Sequence, residues 1–76
     1  MQIDGIVSGG IDILNDSITY DVINEDQIYH IWSKDNQAVK DAIFIREGQY
    51  ISIDGERINE CILAKRSQID ITRIGK

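Results

Sequence analysis

The sequence predicts an all-β fold, a small barrel of five short strands with one short helix between the third and fourth. Three observations lead there. Seventeen of the 76 residues are isoleucine and none is proline. Isoleucine is stiff at χ1 and packs better on a pleated surface than in a helix. Apolar and polar residues alternate along much of the chain, and between Asp35 and Glu47 the period lengthens to that of a helix. Short twisted strands leave exposed edges unless the sheet closes on itself, and closure gives a barrel.

The elements follow in order. Residues 1–14 read as one bent strand or two short ones, kinked at Ser8-Gly9-Gly10, because paired glycines inside a strand mark bulges and corners. Ile18, Tyr20 and Val22 then fall at period two, the pattern of a half-buried strand. Asn24-Glu25-Asp26 turns the chain. Gln27 to Ser33 carries Ile28, His30 and Trp32 on one face and Tyr29 and Ile31 on the other, as expected of a strand with neighbours on both sides. Ala38, Val39, Ala42, Ile43 and Ile45 have helix-face spacing. Asp35 or Asn36 is placed to cap that helix and Gly48 to end it in a left-handed conformation. Ile51 and Ile53 alternate with Tyr50, Ser52 and Asp54. Asp54-Gly55 is a turn dipeptide, unless the strand runs on past a bulge through Ile58. Ile62-Leu63-Ala64 and Ile69 to Ile74 supply the closing strand region.

Strand order with one helix after the third strand is the order of the OB-fold, a partly open Greek-key barrel. The segment Phe44-Ile45-Arg46-Glu47-Gly48-Gln49-Tyr50-Ile51-Ser52-Ile53-Asp54-Gly55-Glu56 resembles bacterial single-stranded-DNA-binding proteins and the related primosomal OB proteins. In that family a helix ends in an aromatic or apolar pair, a basic residue and a glycine, before a strand and an acid-glycine turn. The likeness extends from Gln27 to Ile74 and is weaker in the N-terminal third. It implies a barrel that binds single-stranded nucleic acid. Bases in that family stack on aromatics at the ends of the third strand. Here the ungapped match puts Ile28 and Lys34 at those positions, with Tyr29 and Trp32 nearby.

Length allows a single domain spanning residues 1–76. A chain this small buries only about 60–65% of its unfolded surface, so a homo-oligomer is expected. With one cysteine, Cys61, there is neither an internal disulfide nor a thiolate cluster, which fits a cytoplasmic setting. No apolar run approaches the roughly 20 residues of a membrane helix, and no membrane role is expected. The net charge is −5, but unevenly spread. Residues 1–30 hold six acids and no Lys or Arg, whereas residues 31–76 hold seven acids and eight bases.

Catalysis needs a nucleophile, an acid/base pair or a metal around a cavity, and no such constellation is legible. His30 is the sole histidine and sits on a strand; Cys61 reads as a small buried hydrophobe. Asp12 with Asp16, or Asp21 with Glu25 and Asp26, lacks the ligand spacing of a calcium loop. Gly9-Gly10 lacks phosphate-loop spacing. No enzyme activity, metal or cofactor is expected.

Binding residues are sought among aromatics beside positive charge, since single-strand binders stack bases on π-faces and track phosphates with Lys and Arg. These are Tyr29, Trp32, Lys34, Tyr50, Arg57, Lys65, Arg66 and Arg73. The expected function is modest-affinity binding of single-stranded nucleic acid, accessory to replication, recombination or a mobile element. The alternative is an OB-fold protein-interaction or self-assembly module without nucleic acid.

Overall fold

The computed structural model describes residues 1–70. Its elements are β1 (Gln2–Val7), β2 (Asp12–Ile13), β3 (Ser17–Asn24), β4 (Gln27–Lys34), α1 (Asp35–Phe44), β5 (Tyr50–Ile58) and β6 (Cys61–Asp70). The protein is mostly β, a compact sheet with one short helix, as its isoleucine bias and alternation predict. One sheet runs in the order β1-β5-β6-β4-β3-β2, and β1 also meets β3. Successive pairings therefore lead from β1 through β5, β6, β4 and β3 back to β1. All are antiparallel except β4 with β6, which is parallel.

Alternation sorts the side chains. Ile18, Tyr20 and Val22 of β3, Ile31 of β4, Ile51 and Ile53 of β5, and Ile62 and Ala64 of β6 are buried with Ile3 and Val7 of β1. Tyr29 packs half-buried against this cluster. β4 lies between β3 and β6, which accounts for bulky residues on both its faces.

Glycine decides where strands come close. A Cβ on Gly5 would lie 2.5 Å from the Ile23 carbonyl oxygen and 2.7 Å from Val22 Cγ1. Only a residue without a side chain lets β1, still paired with β5 at Ile6, come close enough to reach β3, which it pairs at Ile6 and Val7. Gly55 plays the same part in β5, where a Cβ would lie 2.5 Å from the Leu63 carbonyl oxygen. Asp54-Gly55 is a bulge and not a turn, and β5 runs on to Ile58. The chain reverses at Asn59-Glu60, with Asn59 at φ 56°.

The helix departs from its predicted face. Ala38 and Asp41 are buried, while Val39 and Ile43 are about three-fifths exposed, at 61% and 58%. The inward stripe is Ala38-Asp41-Ala42-Ile45, which obeys the same i, i+3, i+4, i+7 spacing with a carboxylate in it. Neither Asp35 nor Asn36 caps the helix. Lys34 is the N-cap and makes no side-chain cap bond, and Ile45 is the extended C-cap, its amide donating to the Asp41 carbonyl at 2.8 Å. Gly48, at φ 89°, closes the loop beyond the helix, where its amide donates to the Val7 carbonyl at 2.7 Å.

Candidate functional site

The outward faces of β3, β4 and β6 meet in a shallow surface centred on Trp32. Cross-strand register sets Thr19 opposite Trp32, Asp21 opposite His30 and Ser17 opposite Lys34. On the other side of β4, Trp32 stands beside Leu63 and His30 beside Cys61. Thr19 is small, so it leaves the half-buried indole accessible, while Leu63 supports it from β6. The Lys34 ammonium lies 5.5 Å from the Trp32 ring centroid, a cation–π geometry that holds charge and π-face together. Lys65 is two residues past Leu63, and its Nζ is 4.0 Å from Glu56 Oε1. Glu56 pairs with Leu63, so Lys65 borders the same surface. His30 Nδ1 is 2.8 Å from Asp21 Oδ1.

The other sequence-predicted residues do not gather here. Tyr29 packs toward the core. Tyr50 pairs with Ile6 of β1 and Asp70 of β6, on a strand separated from β4 by β6. Arg66 lies with Ser52, Asp54, Ser67 and Lys40 around a polar depression of about 570 Å³. Its guanidinium donates to Asp54 Oδ2 at 2.9 Å, and that bond holds the Asp54 carboxyl below the usual carboxylate range. Arg57 pairs with Ile62, out of phase with the Glu56–Leu63 pair. Arg73 lies outside the described residues.

A second cluster escapes a reading for surface chemistry. Asp41, 1% exposed, is bonded through both carboxylate oxygens. Oδ2 accepts from the buried Ser33 hydroxyl; Oδ1 accepts from Ser67 Oγ and from Gln37 Nε2 at 2.8 Å. Gln37 also donates to Ser67 Oγ at 3.0 Å. The network ties α1 to β4 and β6. Tyr20 adjoins it. Its hydroxyl is buried without a hydrogen-bond partner among the described residues. Burial first, and the Asp41 carboxylate second, push the phenol well above its ordinary range. Ser33, whose hydroxyl donates to Asp41 Oδ2, acts the other way. Half of this cluster was legible in the sequence: Ser33 follows Ile31 at period two, which turns it inward, but the spacing on α1 does not show that Asp41 turns inward to meet it.

Among the described residues no three His, Cys, Asp or Glu side chains converge on a position that holds a metal ion. No helix there is long and apolar enough to cross a membrane. No family model matches the chain, and no curated protein matches it in sequence.

Proposed function

We propose that the protein is an OB-fold barrel that binds single-stranded nucleic acid on the β3-β4-β6 surface. Support for the barrel comes from the return of the strand pairings to β1 and from the parallel β4–β6 pair, a closed route that leaves few free edges. One observation carries the binding reading. Trp32 presents its ring on the outer face of the central strand, with Lys34 against it and Lys65 nearby. A base stacked on such a ring gains roughly 1–3 kcal/mol, and the two ammonium groups reach flanking phosphates. Asp21 and Glu56 offset that charge, which keeps affinity modest. No catalytic group is assigned. The setting that suits such a protein is accessory to replication, recombination or a mobile element, in the cytoplasm.

The test is titration of Trp32 fluorescence with a thymidine oligonucleotide at low salt. Quenching that saturates supports the reading; unchanged emission at high micromolar protein removes it. A second reading, a protein-interaction or self-assembly module, draws on the exposed apolar side chains of α1 and β2. Light scattering that shows a stable oligomer indifferent to oligonucleotide favours it.

A further inference from the structure

We propose that the Asp21–His30 pair is a proton-operated gate on the Trp32 surface, which repels phosphate while the imidazole is neutral and accepts it once the ring is protonated. This gate presupposes the nucleic-acid reading of that surface and sets how the site is regulated. His30 lies two residues before Trp32 on the same outer face of β4, about 6.6 Å along the strand. That separation is shorter than the screening length of about 8 Å at physiological salt, so a phosphate beside the indole feels the charge of the pair. The His30 side chain is 60% exposed and that of Asp21 39%, so both are open to a ligand on this face.

Bonding fixes what each atom can do. A carboxylate only accepts, so Nδ1, 2.8 Å from Asp21 Oδ1, carries the hydrogen of the neutral ring. Nε2 makes no hydrogen bond among the described residues and is then a bare acceptor. The neutral pair therefore presents one net negative charge and a lone pair, and both repel a phosphate oxygen. A proton on Nε2 cancels the charge and turns the acceptor into a donor. Imidazole is the side chain that ordinarily makes this change between pH 5 and 8. Around the ring, Asp21 stands opposite on β3, the Cys61 thiol lies alongside on β6, and Ile28 and Trp32 flank it on β4. Beyond these come Lys34 against Trp32, Glu56 with Lys65 at 4.0 Å, and Asp12 across β3 from Thr19. Glu25 and Asp26 occupy the turn before β4, and Glu60 the turn before β6. Because the phosphate favours the protonated ring, affinity rises as pH falls, and bound oligonucleotide holds the proton more tightly in return.

The test is the anisotropy of a rhodamine-labelled thymidine oligonucleotide at low salt, titrated with protein at pH 7.5 and at pH 5.5. The native protein should bind roughly fivefold tighter at pH 5.5, the upper range for an exposed ion pair. His30→Gln keeps a polar side chain that takes up no proton, and it should bind equally at both values. Asp21→Asn removes the repelling carboxylate and should tighten binding at pH 7.5. In the native protein, saturating oligonucleotide should move the NMR titration midpoint of the His30 ring upward. Circular dichroism verifies that both variants stay folded. Equal affinity of the native protein at the two pH values overturns the gate, as does a pH step that survives in His30→Gln; the nucleic-acid reading stands in either case. No binding at either pH removes both.

Discussion

Trp32 and Lys34 stand two residues apart on the same face of β4, with the lysine ammonium 5.5 Å from the centre of the indole ring. Strand periodicity brings this about: residues i and i+2 share a face, and a long flexible cation reaches back over its neighbour. If oligonucleotide binds here, each side chain contributes separately measurable terms. Trp32→Ala is expected to cost roughly 1–3 kcal/mol of binding by loss of stacking. Lys34→Ala and Lys65→Ala should weaken binding without changing base preference. With two phosphates neutralised, the slope of log Kobs against log salt should be about −1.4, and about −0.7 in either lysine variant. Anisotropy titrations over a salt series give both quantities.

Asp41 anchors the helix to the sheet through Ser33, Gln37 and Ser67. Asp41→Ala leaves the buried Ser33 hydroxyl without its acceptor and removes bonds to a charged group. The expected loss is about 2–4 kcal/mol of unfolding free energy, read from the urea midpoint. A loss below about 0.5 kcal/mol, the size of an ordinary surface change, would contradict this role.

Gly5 is predicted to resist even alanine. Its added methyl meets the Ile23 carbonyl and Val22 at distances no real contact adopts, so β1 and β3 must part. Gly5→Ala should destabilise by about 1–3 kcal/mol, the range of overpacked interiors. By contrast Gly10→Ala meets no neighbouring atom, and its cost is only that of a positive φ.

Tyr20 sets an alkaline limit. Its folded pKa lies above the roughly 10 of an unfolded tyrosine, so the native state keeps a proton that the unfolded chain releases. The associated stability is fully present below about pH 10 and is lost as pH rises past it. Ultraviolet titration should show the Tyr20 phenol ionising only together with unfolding. Tyr20→Phe removes an unpartnered buried hydroxyl, so it should be neutral or stabilising at pH 7 and should flatten the alkaline loss. Ionisation of Tyr20 in the folded protein would refute the assignment.

Strand positions were legible where alternation was strict. Ile18, Tyr20 and Val22 announce the inner face of β3, and Ile28, His30 and Trp32 share an outer face as their spacing indicates. The helix was legible in extent but not in rotation. Two apolar stripes compete on α1, and the sequence does not reveal that Asp41 finds three donors on one of them. Asp54-Gly55 has the composition of a turn, yet the close approach of Leu63 uses its glycine for a bulge. The candidate site was half legible. Trp32, Lys34 and Lys65 come together, but Tyr50 does not, because β5 lies between β1 and β6 and not beside β4, and Arg66 instead pairs with Asp54 beyond the β5–β6 bulge. Alternation assigns a side chain to a face; only the pairing order decides which faces are neighbours.

The most direct measurement is a two-dimensional amide-correlation NMR titration of the isotope-labelled protein with a thymidine oligonucleotide at low salt. Binding on the proposed surface predicts saturable shifts at Thr19, His30, Trp32, Lys34, Leu63 and Lys65, with the Trp32 indole signal among the largest. Tyr50, Ser52 and Arg66 should stay in place. No shifts at high micromolar protein, or shifts centred on Tyr50 and Arg66 with Trp32 unmoved, would contradict it.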